Sequence, residues 1–225
     1  MPGTPKIFPL GDNALTIDFG NEISIELNDQ ALLLAAELNS RPFPGLIEAV
    51  PAYSSVGVFY DAWTVPRFAP GVSAFETVCD LVLSRVLDPT TGPAVATRHV
   101  EIPVDFSGEA ALDIESLASH SGCSREEVIR IFTSEIYRVY MIGFLPGFAY
   151  MGDVDERIAA PRHGSPRLKV PKGSVGIAGR QTGVYPLESP GGWQIIGRTP
   201  LEIFTPNAES PCLLRPGDEV RFISI

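Results

Sequence analysis

The stretch Gly143-Phe144-Leu145-Pro146-Gly147-Phe148-Ala149-Tyr150, followed downstream by Pro171-Lys172-Gly173-Ser174, Ile177-Ala178-Gly179-Arg180-Gln181-Thr182-Gly183-Val184-Tyr185-Pro186 and Ser189-Pro190-Gly191-Gly192-Trp193, decides how the chain is read. Between Gly143 and Pro200 lie eleven of the 21 glycines and seven of the 21 prolines. Apolar residues are interleaved throughout, which a flexible linker would not show. The reading is β-structure with short strands and tightly specified turns. Extended to the segment 136–225, which finishes with Pro216-Gly217-Asp218-Glu219 before an apolar run, it predicts a closed or nearly closed β-barrel.

Working back toward the N-terminus, the periodicity changes. Lys6–Leu10 and Ala14–Phe19 read as strands around Gly11-Asp12-Asn13, and residues 28–38 as a helix capped by Asn28 or Asp29. Two strands, Leu46–Tyr53 and Ser55–Tyr60, a helix over 72–86 and a strand over 98–106 complete a split βαβ, ferredoxin-like order in residues 1–106. Residues 107–135 read as a helical linker, with helices over 113–120 and 124–132. Ser124 and Glu127 have capping-box spacing. The fold class is therefore α+β: a ferredoxin-like N-terminal domain, then a barrel.

Charge is as unevenly spread as glycine. Seven Lys/Arg (Arg157, Arg162, Arg167, Lys169, Lys172, Arg180, Arg198) face one acid, Glu188, between residues 157 and 200; this local +6 sits in a chain of net −10, so the remainder carries −16. Either the island holds a carboxylate, carbonate or phosphate, whose geometry arginine's planar fork matches, or its members pair with acids from elsewhere. The overall acidity argues against nucleic acid as a partner. No apolar run is long enough for a membrane span, and the expected location is the cytosol. Cys79, Cys123 and Cys212 suggest neither a disulfide framework nor a metal knuckle and read as small buried hydrophobes; no metal site is expected. His163 is the one histidine in the basic island. Neither a P-loop nor a GxSxG elbow is present, and Ser174 beside Lys172 is a weak candidate for a nucleophile with its base.

Taken together, these residues, with Pro9-Leu10-Gly11-Asp12, Pro51-Ala52-Tyr53, Tyr137-Arg138-Val139-Tyr140 and Arg215-Pro216-Gly217-Asp218, resemble the family variously called the 5-oxoprolinase B subunit, allophanate hydrolase subunit 1 or the KipI-type inhibitor of a sporulation histidine kinase. Nothing in the chain resembles the Ser-Ser-Lys amidase that cleaves allophanate. The resemblance implies a cyclophilin-like form for the barrel. It also implies a partner, the C component (KipA-like, also called allophanate hydrolase subunit 2), fused to this type of domain in the carboxyltransferase-like part of urea carboxylases. A further A component of the LamB/YcsF type is implied, in a complex that opens 5-oxo-L-proline to L-glutamate with ATP. ATP belongs to the assembled complex, and no cofactor is expected in this chain. On that reading Arg162, Arg167 and Arg198 hold carboxylate or phosphoryl oxygens, Gln181 and Thr182 address the lactam amide, and Tyr185 and Trp193 exclude water; no catalytic residue is assigned. The rival expectation is a regulatory module that docks on a histidine kinase.

Overall fold

The computed structural model describes residues 5–67, 69–87 and 97–225, and the chain divides into two compact units, Met1–Ala96 and Thr97–Ile225. The first unit runs β1 (Lys6–Pro9), β2 (Ala14–Asp18), α1 (Ile25–Ser40), β3 (Leu46–Ala52), β4 (Ser55–Tyr60) and α2 (Ala74–Leu87). Its sheet is antiparallel in the order β1-β2-β4-β3. Leu15, Ile17, Val56, Val58 and Tyr60, at alternate positions along β2 and β4, pack with Ala31, Leu34, Ala35 and Leu38 of α1 and with Val78 and Val82 of α2. Helix α1 begins earlier than its apolar period suggests, because Ser24 accepts from the Leu27 N–H (3.2 Å) as N-cap. Asn28, expected to cap, is instead fully buried, and its amide donates to the Tyr53 carbonyl (2.8 Å).

The arrangement is ferredoxin-like with one substitution. The outer place beside β2, which a strand after the second helix would fill, is taken by β1. The strand expected at 98–106 therefore leaves this unit. It is β5 (His99–Val104), which pairs in parallel with β13 (Glu219–Ser224) of the second unit. The boundary thus falls at 96/97 rather than at 106.

Nor are residues 107–135 a linker. Helices α3 (Ile114–Ser121) and α4 (Arg125–Ser134) bury Ile114, Leu117, Ala118, Val128, Ile131 and Phe132 in the core of the second unit. Ser124 and Glu127 do form the capping box.

The second unit continues with β6 (Tyr137–Ile142), β7 (Ala149–Gly152), β8 (Arg167–Val170), β9 (Ser174–Ala178), β10 (Gln181–Val184), β11 (Ser189–Gly191), β12 (Gln194–Arg198) and β13. Seven strands form one sheet, β12-β9-β10-β7-β6-β13-β5. Its two edges meet where the Asp105 N–H donates to the Arg198 carbonyl (2.8 Å) and the Arg198 N–H to the Asp105 carbonyl (2.9 Å). That exchange joins β5 to β12 and brings the sheet round into the cyclophilin-like barrel, leaving few unpaired backbone groups at its edges. The small β8–β11 ribbon lies outside it. Its Val170 packs with Ala178, Ile195 and the ring cluster described below, a core separate from the barrel interior. The three cysteines are free and half-buried rather than buried. Among the described residues, no helix is long and apolar enough to cross a membrane.

Candidate functional site

A cleft of about 300 Å³ opens on the outer side of the barrel, at the lower end of the range for small-molecule sites. The β6–β7 turn, the loop 161–166 and the segment 185–193 line it. Phe148, 1 % exposed, is the hub of its wall, meeting Trp193 (5.4 Å, 89°), Tyr185 (5.3 Å, 80°), Tyr150 (4.8 Å, 63°) and Phe144 (5.6 Å, 89°) edge-to-face. The glycines admit these rings. A Cβ on Gly191 would lie 2.3 Å from the Tyr185 hydroxyl, and one on Gly183 2.9 Å from the Phe148 ring. Phe144 sits at φ +70 in a tight turn whose Leu145 N–H donates to the Gly143 carbonyl (2.9 Å). The strained backbone holds a 63 % exposed ring at the mouth of the cleft.

Arg162 brings the charge. Its guanidinium carbon lies 5.8 Å from the centre of the Trp193 ring, and no carboxylate is within ion-pair reach among the described residues. Burial pushes the Tyr150 and Tyr185 phenols up, with the Arg162 charge acting the other way, so both are neutral at pH 7. The lining holds no acid. One cation over an aromatic floor, with neutral phenols beside it, suits a small anion that carries an apolar ring.

His163 borders the same cleft, and behind it lies a residue to which the sequence alone assigns no role. Asp113 stands at the N-cap position of α3, yet its carboxylate makes no cap hydrogen bond. It turns instead toward β12. The Ile195 N–H donates to Oδ2 (2.6 Å), Arg167 Nη2 donates to Oδ1, and His163 Nε2 lies 3.3 Å from Oδ1 without hydrogen-bond geometry. Asp113 is 4 % exposed, and its own N–H donates to the Ile195 carbonyl (2.7 Å).

The structure therefore brings Arg162, Tyr185 and Trp193 together, with Arg167 one step behind through Asp113. It places the other expected site residues elsewhere. The Thr182 hydroxyl is buried and donates to the Gly176 carbonyl (3.0 Å) as a brace of the barrel wall. Gln181 and Arg198 do not line the cleft. Ser174 is fully buried, and Lys172 pairs with Glu202 rather than with it.

Most of the basic island is neutralised: Arg157 by Asp155 (2.6 Å), Arg167 by Asp113, Lys169 by Glu188 (3.2 Å), Lys172 by Glu202, and Arg180 by Asp153 (2.8 Å) and Glu156. Arg162 and Arg198 are left without an ion pair among the described residues.

A closed barrel with an aromatic, singly cationic cleft of small-molecule size, preceded by a ferredoxin-like unit, defines an α+β protein. Residues 5–214 match the family model "Carboxyltransferase domain, subdomain C and D", and the chain belongs to that family. It is 49 % identical to the protein of Bacillus subtilis (strain 168) named as the B subunit of 5-oxoprolinase, over 98 % of this chain and 92 % of that one. With the protein of the same name from Escherichia coli O157:H7 it shares 36 % identity over 97 % of this chain and 95 % of that one. The solved structure of TTHA0988 superposes with a TM-score of 0.80 at 38 % identity, over 94 % of this chain and 39 % of that chain. The chain thus spans about two fifths of that protein's length.

Proposed function

We propose that this chain is the B subunit of an ATP-dependent 5-oxoprolinase, which opens 5-oxo-L-proline to L-glutamate together with a C component of the KipA-like type and an A component of the LamB/YcsF type. The observation that carries the proposal is the cleft: Arg162, without a carboxylate partner among the described residues, lies over Trp193 beside neutral phenols. A lactam ring lies on the aromatic floor, its carboxylate takes the Arg162 fork, and its amide faces Tyr185 and His163. The relatives are named as one subunit of an enzyme and the TTHA0988 chain is much longer, which supports a site completed by further polypeptide. Gln181, Thr182 and Arg198 have no place in this site; Arg167 acts in it through Asp113.

The test is 5-oxoproline-dependent ADP release by the chain alone, with the KipA-like component, and with the KipA-like and LamB/YcsF-type components together. Turnover is expected only from the full set. Robust turnover by the isolated chain would sink the division of labour, and none from the full set would sink the substrate assignment.

A further inference from the structure

Two residues fifty positions apart meet at the back of the cleft and have no part in the barrel's strand pairing. His163 Nε2 is buried against Asp113, while the other ring nitrogen, Nδ1, is neither buried nor hydrogen-bonded among the described residues. Asp113 is fixed from three sides, by the Ile195 N–H, by its own N–H on the Ile195 carbonyl, and by Arg167. An imidazole packed 3.3 Å from a buried carboxylate, with its second nitrogen accessible on a residue that lines a ligand-sized cleft, has the makings of a general base.

We infer that His163 is the proton-transfer residue of the cleft and Asp113 its positioning residue. This rests on the cyclic-amide reading above. The lactam N–H donates to His163 Nδ1. When the amide oxygen attacks the terminal phosphoryl group of a nucleoside triphosphate, the O–P bond forms and the bond to the departing diphosphate breaks. The N–H electron pair becomes the C=N bond, and the proton passes to Nδ1. Asp113 faces the resulting imidazolium, and Arg167 holds that carboxylate in place.

The discriminating variant is His163→Gln, whose terminal amide reaches Asp113 as Nε2 does but puts no base where Nδ1 stands. In the assembled three-component complex it is expected to keep Tm and KM within about threefold of wild type and to lose at least about a hundredfold in kcat, the scale of general acid–base catalysis. In His163→Gly, added imidazole is expected to restore kcat saturably. An active wild-type complex in which His163→Gln keeps its kcat overturns the inference alone, whereas an inactive wild-type complex overturns the substrate reading and the inference with it. Should the variants lose Tm, 15N-labelled histidine in the wild-type chain puts the same question: 5-oxoproline is expected to move the His163 Nδ1 resonance and leave Nε2, and the reverse result overturns the assignment.

Discussion

Arginine count alone does not locate a binding site in this protein. Seven cations crowd residues 157–200, and the acids that quench four of the five paired ones, Asp113, Asp153, Asp155, Glu156 and Glu202, all come from outside that segment. Net charge along the chain cannot register such partners, since the pairing is made by the fold. What distinguishes Arg162 is its place over Trp193 without a carboxylate partner among the described residues. On the function proposed above, Arg162→Lys is expected to raise KM for 5-oxoproline about ten- to a hundredfold with Tm unchanged, because an ammonium cannot reproduce the proposed bidentate contact, worth about 1.5 to 3 kcal/mol. Steady-state kinetics on the complex and a melting curve of the chain check both halves. Trp193 and Tyr185 are legible as cleft walls from the glycines around them, since rings and bare backbone pack together. Asp113 is not: an Asp before a helix reads as a cap, and its diversion to Ile195 depends on β12, some eighty residues away.

At the level of elements, local signals are legible in the sequence and long-range assignments much less so. The Ser124 capping box is local and forms as its spacing predicts, whereas β5 carries nothing in its own residues to say which sheet it joins. Its alternation fits either, and the choice depends on β13, more than a hundred residues later. The turn after β7 offers a test of a local device. Asp155 caps the short 3-10 turn Glu156–Ile158, accepting from Arg157 Nε (3.0 Å), Nη2 (2.6 Å) and N–H (2.8 Å). These bonds, side chain first, hold its carboxyl at about 2 against an ordinary 3.8. A depressed value means the stabilisation is complete above 3.8 and is lost as pH falls through about 2. Tm measured across that window is expected to fall less steeply in Asp155→Asn than in wild type. Parallel curves would remove the turn from the acid response.

For the molecule as a whole, the two units differ in how their contacts run along the chain. The first is built from neighbours in sequence, such as the β3–β4 hairpin and the helix beside it. The second places its first strand, β5, against its last, β13, and β13 also pairs with β6. During synthesis, then, the ribosome delivers some 120 residues of this unit before the strand that seats between β5 and β6 arrives, and until then both lie with open edges. Nascent chains arrested before β13 has left the exit tunnel are expected to show the first unit resistant to protease and the second digestible, with resistance appearing once β13 is out. Protection of the second unit in the shorter chains would show that the barrel assembles without its keystone. Order of birth, and not only final geometry, thus makes this half of the protein the client for any chaperone that waits at the tunnel mouth.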